Sequence, residues 1–466
     1  MENKRNPIRC AFMAHYYPPI GGAGTARSDA FVRYLPEYAV NPVVFSVEPV
    51  AEEAHREFQL DHSLLLDDNG VDVIRVSGRD RLAGLRQLLL RTRLYPIYWA
   101  LAYRWEYEGC RSWARNAGRT VAHQHARSPF DLIYATAGPN STLEAAAKAA
   151  RTCGIPWVAD LRDPWNVASL KRYPSLWHYR WEKNFERRLL LSADAVVMNT
   201  PGAYRLMRDW LGRDASGKIT WIPNGFDARH VSTSSAIHGA QNRSPRCQII
   251  HTGTLYTPGM RASRPGNFYT GDIDDTARSL VPLAQSVRQL LDRRPELAQR
   301  LEIIQIGHAP EKLMQVVREI VPETGVFQFL GVQPRHAVLK AMREADVLLV
   351  VQVAWADRNR NVPHIPGKVY DYLPLHKPIL AFVPAGDLKN LLLRIPQAAV
   401  IDYKNVSEGA RRLEQMADGL FSIDDTCTPV DQSKLTRQFQ AGILAEIFRR
   451  VTTGKSCEGL AKADFE

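Results

Sequence analysis

The sequence predicts an α/β protein built from two doubly wound, Rossmann-like domains. Short apolar runs bounded by glycine, proline or asparagine alternate with longer helical stretches along the chain. The alternation occurs twice, on either side of a segment rich in serine, asparagine and histidine. A chain of 466 residues is also long enough for two or three domains. Buried parallel strands joined by helices give this pattern, so we expect two α/β domains of similar size.

The first half of the chain contains six strand candidates, which are short, apolar and rich in β-branched or aromatic residues. Residues 141–151 lie between two of them, are rich in alanine, and begin with the serine and threonine that favour a helix start. Residues 177–191 predict a further helix. The strand candidates are residues 8–14, 43–47, 132–136, 157–160, 195–199 and 219–222.

The second half repeats the alternation after the best linker of the chain, residues 228–246. We therefore place an N-terminal domain at 1–228, a linker at 229–246 and a C-terminal domain at 247–430. Ligands of such folds bind where loops leave the carboxyl ends of the strands, so the loops of both domains are expected to face one central cleft. The elements expected here are strands at 248–251, 301–306, 326–330, 347–351 and 379–382, and helices at 280–291, 311–320 and 335–345.

Three segments fall outside this alternation. Residues 431–451 carry apolar side chains at helical spacing, which predicts a helix packing back toward the N-terminal domain. Residues 452–466 show no periodicity, and we expect them to be frayed. Residues 256–276 are rich in glycine and proline and predict an irregular insertion, a candidate mobile loop over the cleft.

Composition excludes several classes of protein. A hydrophobic content of 45% and a charged content of 23% are too apolar for a disordered chain. Apolar runs are far shorter than the roughly 20 residues that span a bilayer, and no signal-peptide pattern opens the sequence, which favours a cytoplasmic protein. The 6 cysteines include no Cys-x-x-Cys pair and are expected to be reduced and structural.

The net charge of +11 is concentrated in residues 79–119, where nine arginines and three acidic residues are interleaved with tyrosine and tryptophan. One interpretation is a surface for a membrane or an anionic substrate. The interpretation we favour is a set of amphipathic helices with solvated arginines and a buried aromatic face. No nucleic-acid-binding motif accompanies the arginines, so nucleic acid is not an expected partner.

Two motifs in the first half could carry chemistry. Gly21 and Gly22 follow the first strand and precede a helix, where backbone N–H groups can approach an anion. The spacing matches neither the Gly-x-Gly-x-x-Gly pattern nor a P-loop, and a sharp turn is the alternative. Asp160, Arg162 and Asp163 lie at the end of another strand and suit a polar site, or else form a local ion pair.

Two further motifs lie at the domain boundary. Asn224 precedes a glycine just before the linker, and this pair permits a left-handed turn that could be both hinge and cleft wall. Gly253 follows the first strand of the second domain and could admit a phosphate close to the backbone. Arg261 and Arg264 follow in the insertion and are either a bidentate diphosphate clamp or solvated loop arginines.

The most informative motif is residues 363–373, a proline-rich turn that leads into a helix at about Gly367. Lys368 opposes the helix dipole there, and a bound anion would explain its position. Asp371 lies one turn later and could accept hydrogen bonds from sugar or ribose hydroxyls. The alternative is a solvated lysine with an acidic partner on the same helix.

Taken together, the motifs resemble the family-four (GT4) retaining nucleotide-sugar glycosyltransferases of the GT-B fold. The resemblance covers residues 8–393, and the matching pieces come in the order of the family. Each piece is weak by itself, but the ordered set is specific. The pieces are residues 16–22, 130–139, 154–165, 222–227, 253–256, 329–332, 344–349 and 366–373.

The resemblance implies that the C-terminal domain binds the nucleotide sugar and the N-terminal domain the acceptor. Lys368, with Arg261 or Arg264, would grip the diphosphate, and Asp371 would bind the ribose. The family carries an earlier acid that contacts the sugar, and Pro363 stands in its place here. His364 is then a candidate for the sugar contact.

The resemblance also implies roles for residues nearer the reacting centre. Gly21 and Gly22 would donate N–H groups to the phosphates or the sugar, and Arg162 and Asp163 would sit near the reacting atoms. Gly331 and Val332 would lie beside the base.

The implied reaction is retaining transfer of a hexose-type sugar from a UDP- or GDP-type donor, without a metal or other cofactor. A cationic, amide-rich pocket can stabilise the charge on the leaving diphosphate. No protein nucleophile is nominated, and Asp163 is a candidate proton acceptor. The Asp-x-Asp of the chain, Asp272 to Asp274, lies in the irregular insertion and not after a strand.

The acceptor is open at this stage. Lipid-linked sugars at the inner membrane face fit the basic aromatic region, which would then make peripheral membrane contact. Arginine- and alanine-rich composition is typical of a high-GC bacterium, where natural products and thiols are soluble alternatives. A non-catalytic sugar-nucleotide-binding protein is a second class, supported by Pro363, and a GT-B epimerase or phosphorylase is a third.

Overall fold

The chain forms two compact units. The first unit contains the described residues up to Gly225, the pair Phe268-Tyr269, and the described residues from Ser433 onward. The second unit contains the remaining described residues between Phe226 and Gln432. The computed structural model describes residues 7–49, 70–78, 85, 88–89, 92, 94–106, 110–167, 172–230, 246–259, 268–269, 273–421 and 426–460.

The first unit is built on a sheet of seven parallel strands in the order β3-β2-β1-β4-β5-β7-β8. Its central strands are fully buried, which agrees with their apolar, β-branched sequences. The strands are β1 Ile8–Met13, β2 Val40–Val47, β3 Val73–Val76, β4 Leu132–Thr136, β5 Trp157–Leu161, β7 Ala195–Met198 and β8 Ile219–Trp221, and the short β6 is Arg172–Tyr173.

Helices connect these strands, and local sequence defines their ends. Gly154 ends one helix in the left-handed conformation that glycine adopts without strain. The Thr200 side chain accepts a hydrogen bond from the Ala203 N–H and begins another. The helices of this unit are α1 Ala23–Tyr34, α2 Tyr95–Glu106, α3 Arg111–Arg127, α4 Ser141–Cys153, α5 Leu176–Leu191, α6 Pro201–Leu211 and, at the far end of the chain, α13 Arg437–Thr452.

The last helix completes the core of the first unit. Leu444 and Phe448 of α13 are fully buried in one cluster with Phe12 and Tyr134 of the sheet. The chain beyond the helix differs from the frayed tail that the sequence suggested, as far as Leu460. The Cys457 N–H donates to the Gly217 carbonyl at 2.8 Å, and burial of the Cys457 side chain fixes this segment.

The second unit contains a sheet of six parallel strands in the order β13-β12-β9-β14-β16-β17. Leucine, isoleucine and valine from the sheet and its helices form one continuous core. The strands are β9 Cys247–Thr252, β12 Leu301–Ile306, β13 Phe327–Gly331, β14 Val347–Val351, β16 Ile379–Val383 and β17 Ala398–Asp402, and the helices are α7 Val281–Arg293, α8 Glu311–Ile320, α9 Arg335–Glu344, α10 Gly367–Tyr372, α11 Asp387–Leu392 and α12 Val406–Ala417.

The insertion expected to be irregular contains short strands where it is described. Residues Phe268–Tyr269 (β10) pair antiparallel with β6 in the first unit. Residues Ile273–Asp274 (β11) pair antiparallel with Ala354–Trp355 (β15) in the second unit. Most of the linker assigned to 229–246 lies outside the described residues.

Candidate active site

The glycine-rich loop of the first unit lies at the carboxyl end of β1. Gly22 precedes α1 with a φ of 112°, a conformation that suits glycine. The N–H groups in the first turn of a helix have no partner within the helix, so the start of α1 offers donors to an anion. Gly21 is part-buried and Gly22 is exposed at this edge of the sheet.

Arg162, at the end of β5, lies against this loop. Its Nε donates to the Ala137 carbonyl at 2.9 Å. A Cβ atom at Gly24 would lie 1.5 Å from one Nη atom of Arg162, and a Cβ atom at Gly138 would lie 1.6 Å from the other. The guanidinium therefore occupies space that only glycines at both positions leave open. The structure brings Arg162 to the start of α1, and Asp163 is exposed beside it.

Asp160 forms a buried ion pair that differs from the local pair considered from the sequence. Arg27 of α1 donates to both of its carboxylate oxygens, at 3.1 and 2.9 Å. Tyr134 and Thr136 of the neighbouring strand also donate to it, at 2.7 and 3.1 Å. Burial and the Asp160 charge raise the pKa of Tyr134 well above its usual value. Asp160 is therefore held by Arg27, Tyr134 and Thr136. Arg162 contributes the positive charge beside the glycine-rich loop.

Asn224 belongs to the first unit, and its role differs from the left-handed turn expected from Asn-Gly. Its side-chain oxygen accepts from Arg27 at 3.2 Å, and its carbonyl accepts from Gln440 of α13 at 3.0 Å. Neither Asn224 nor Gly225 has a positive φ. Gly225 is needed because a Cβ atom there would lie 2.3 Å from the Leu435 carbonyl oxygen.

In the second unit, the candidate site forms at the carboxyl end of β9. Lys368 of α10 donates through Nζ to the Thr252 carbonyl at 2.8 Å and to Nε2 of His251. Gly253 follows with a φ of 112°, and a Cβ atom there would lie 3.9 Å from Lys368 Nζ. Gly253 and Lys368 are therefore neighbours, although they are far apart in the sequence. Burial lowers the pKa of Lys368 well below its usual value.

Arg278 is a second cation at this place, and the sequence does not predict it. Arg278 donates through Nε to the Thr254 carbonyl at 3.4 Å, and its guanidinium lies 4.5 Å from the centre of the Tyr256 ring. Its charge lowers the pKa of Lys368 further. Nothing in the local sequence marks Arg278, because it lies just beyond the insertion expected at 256–276 and belongs to none of the motifs. Arg261 and Arg264, named for the diphosphate, lie outside the described residues.

The remaining candidates for the donor lie around α9 and α10. Asp371 is 3.7 Å from the Arg335 guanidinium at the start of α9. Gly331 and Val332, named for the base, are exposed just before α9.

The turn before α10 carries the next candidates. Pro363 is buried and His364 is part-buried, and the His364 carbonyl accepts from Gln352 at 2.6 Å. Gly367 is the first residue of α10. These residues share one edge of the second sheet with Lys368.

Comparison with known families decides the classification. Residues 52–225 match the family described as "Glycosyl transferase 4-like domain". The match ends at Gly225, after which the chain enters the second unit. This stretch, less than half of the chain, is similar to that domain. The match confirms the GT4 resemblance for residues 52–225, and the two parallel, Rossmann-like sheets together with the solved structures below confirm the expected GT-B fold class.

Solved structures with this fold resemble the chain over almost its full length. A glycosyltransferase from Rickettsia africae is 9% identical, with 96% of this chain and 99% of that chain covered and a TM-score of 0.59. A UDP-forming α,α-trehalose-phosphate synthase from Burkholderia vietnamiensis is 14% identical, with 96% and 99% covered and a TM-score of 0.55. A sucrose-phosphate synthase from Thermosynechococcus elongatus is 12% identical, with 95% and 94% covered and a TM-score of 0.51. At these identities the likeness concerns the fold alone.

Two further comparisons are negative. No curated protein matches the sequence. Across the described residues, no helix is both long and apolar enough to cross a membrane.

Proposed function

We propose that the protein is a retaining glycosyltransferase that transfers a sugar from a nucleoside-diphosphate sugar to a hydroxyl or other nucleophile of an acceptor. The observation that carries the proposal is the pair of cations, Lys368 and Arg278, beside Gly253 at the carboxyl end of β9. The positive charge of Arg278 lowers the pKa of Lys368, so keeping both groups charged side by side costs free energy. A bound diphosphate would offset that cost.

The same cations suit the chemistry of the leaving group. Negative charge develops on diphosphate oxygens as the glycosidic bond breaks, and fixed cations stabilise that charge without reorganising. Attack by the acceptor on the same face of the sugar retains the anomeric configuration, and no protein nucleophile is required. We propose that no metal is needed, that Arg162 contributes positive charge near the reacting atoms, and that exposed Asp163 accepts the acceptor proton.

The rest of the donor would lie along the same edge of the second sheet. Asp371 would accept hydrogen bonds from the ribose in exchange for its weak contact with Arg335. The exposed backbone at Gly331 and Val332 would lie beside the base. His364 is the candidate for the sugar contact that Pro363 cannot make.

The first unit would bind the acceptor. The loop at Gly21 and Gly22 and the guanidinium of Arg162 form one positively polarised surface at the carboxyl ends of β1 and β5. This surface suits phosphate or hydroxyl groups: those of the donor at Gly21 and Gly22, as the GT4 resemblance implies, and those of the acceptor beside Arg162.

For the acceptor class, we propose a lipid-linked sugar met by a cytoplasmic enzyme at the inner membrane face. The support is an exposed apolar row before and along α2, formed by Leu94, Ile97 and Leu101. Exposed Trp177 lies next to it, because the adjacent His178 contacts the Ala100 carbonyl at 3.0 Å. Residues 79–119 hold nine arginines against three acidic residues, and although Arg111 pairs with Glu144, the excess of positive charge attracts an anionic leaflet. A soluble acceptor is the alternative.

The direct test is turnover of UDP-, GDP- and ADP-sugars in EDTA, with and without an acceptor extract. We expect acceptor-dependent release of one nucleoside diphosphate, and NMR of the product should show a retained anomeric configuration. Turnover without an acceptor that interconverts two sugars would indicate an epimerase. Nucleotide binding without turnover would support the non-catalytic alternative, for which Pro363 is the motivating residue.

A further inference from the structure

His251 and Gln305 form a polar pair inside an otherwise apolar sheet. They are register partners on the neighbouring strands β9 and β12, and both are fully buried. Most of their neighbours on these strands are isoleucines, and Leu349 on the other side of His251 is also apolar. Burying two polar side chains costs free energy unless hydrogen bonds compensate, so the hydrogen bonds of this pair determine whether it is stable there.

Their hydrogen bonds have a defined direction. Gln305 donates through Nε2 to the Gly253 carbonyl at 2.7 Å, which leaves its Oε1 as an acceptor. Nδ1 of His251 contacts that Oε1 and must therefore carry the proton. Nε2 of His251 is then an acceptor, and it faces Lys368 Nζ. Burial lowers the pKa of His251 well below its usual value, which keeps the ring neutral in this arrangement.

We propose that His251, oriented by Gln305, is a positioning residue that fixes the ammonium group of Lys368 for the diphosphate of the donor. The inference rests on the proposed function and deepens its donor site. An ammonium group has three N–H donors. His251 and the Thr252 carbonyl take two of them, and no other acceptor for Lys368 lies within the part of the chain that the structure describes. The third N–H is left to donate to an oxygen of a ligand.

The surroundings of His251 support a neutral acceptor. The charged groups that act on it are Lys368 from α10 and Arg278, and both cations disfavour an imidazolium. Tyr372 of α10 is occupied by the Thr252 hydroxyl at 3.1 Å. A protonated His251 would lose its acceptor atom and repel Lys368, so the position of the ammonium depends on the tautomer that Gln305 sets.

The test combines NMR with binding of UDP, GDP and ADP. In the protein labelled with ¹⁵N-histidine, the His251 signals, assigned through His251→Gln, should show a proton on Nδ1 and none on Nε2. Gln305→Met should raise the Kd of the nucleoside diphosphate by about tenfold or more, the size of one charge-assisted hydrogen bond. Gln305→Glu should bind weakly at low pH and recover as pH rises, because the carboxylate stabilises a protonated His251.

The matched control is Gln248→Met. Gln248 also lies on β9 and bonds a register partner on β12, Glu302, at 2.9 Å, but at the opposite end of the strand. Its replacement should leave the Kd unchanged. Conservative His251→Gln should retain more affinity than His251→Leu, because a glutamine can accept from Lys368.

Two results would overturn the inference: a proton on Nε2 of His251, or equal effects of Gln305→Met and Gln248→Met on the Kd. An Nδ1 proton in a wild-type protein that binds none of the three nucleotides would overturn the positioning role together with the proposed function. Intact nucleotide binding with a proton on Nε2 would overturn the positioning role alone.

Discussion

The guanidinium of Arg162 occupies the space that a side chain at Gly24 would need. A Cβ atom at position 24 would lie 1.5 Å from Nη1 of Arg162. The two residues come from different elements, the first turn of α1 and the end of β5, and their contact places a cation at the glycine-rich loop. Because the clashing atom is the far end of a long side chain, a substitution at Gly24 displaces the guanidinium rather than the backbone.

Gly24→Ala is therefore expected to lower kcat/KM without lowering stability. Alanine favours a helix over glycine by about 0.5–1 kcal/mol, so the melting temperature should hold or rise. The effect should be largely absent in an Arg162→Ala background, because both changes remove the same guanidinium. Steady-state kinetics of the double-mutant cycle measures this, and additive effects would contradict the assignment.

Lys368→Met is expected to abolish most of the stabilisation by a nucleoside diphosphate. At about 100 times Kd, the ligand should add ~2.7 kcal/mol to the wild-type protein, which a thermal shift detects. The free variant should have a stability close to that of wild type, because the loss of the hydrogen bonds to His251 and the Thr252 carbonyl is offset by removal of a cation that burial disfavours. Asp371→Ala should also reduce the response, through lost ribose contacts.

The control for that experiment is Lys340→Met, in the same unit, where the side chain is 75% exposed. An equal loss in the control would indicate a general electrostatic effect. Calorimetry in buffers of different ionisation enthalpy should also show proton uptake on binding at alkaline pH, because the diphosphate raises the lowered pKa of Lys368.

Arg27→Met is expected to destabilise the first unit by about 3–5 kcal/mol, because it leaves the buried Asp160 carboxylate without its cation. The double variant Arg27→Met with Asp160→Asn should recover part of that loss. Arg411→Met, which breaks the exposed pair with Glu408, should cost less than about 1 kcal/mol. Denaturant unfolding measures all three, and equal losses at Arg27 and Arg411 would refute the distinction.

His15 is expected to make the protein acid-sensitive. Burial lowers its pKa from 6.5 to about 3, so the unfolded state takes up a proton first as pH falls. Stability is unaffected above the unfolded pKa and declines below it, by at most ~1.4 kcal/mol per pH unit down to the folded pKa. His15→Phe should flatten this decline, because the ring packs edge-on against Trp113 and Tyr16 and a phenyl ring can do the same. Unfolding at several pH values checks it, and an unchanged slope would count against it.

Ile97→Gln combined with Leu101→Gln is expected to weaken sedimentation with vesicles that contain phosphatidylglycerol. Burial of each side chain contributes roughly 1.5–3 kcal/mol, so the loss should be large. Leu393→Gln with Leu420→Gln is the matched control. These two side chains are 53% and 69% exposed, close to the 59% of Ile97 and the 67% of Leu101. If the α2 variant instead changes the oligomeric state, the row is a protein interface.

Local sequence was sufficient for most of the fold. Every inner strand of both sheets was expected close to its observed position, because a strand buried on both faces needs a continuous apolar run. The two strands of these large sheets that were not expected, β3 and β17, both lie at sheet edges. Their partial exposure admits residues such as Arg75 and Asp402, which obscure the pattern.

The sequence by itself determined the fold class, the order of the strands along the chain, and the loops in which glycine and lysine could meet an anion. Only the tertiary structure decided which side chains meet. Arg27 pairs with Asp160 across 133 positions, Lys368 meets His251 across 117, and Arg278 joins them from beyond an insertion. The reason is physical: hydrophobic periodicity reports only local burial, whereas these contacts depend on strands adjacent in space but distant in sequence, and on the free energy of burying each charge beside its partner.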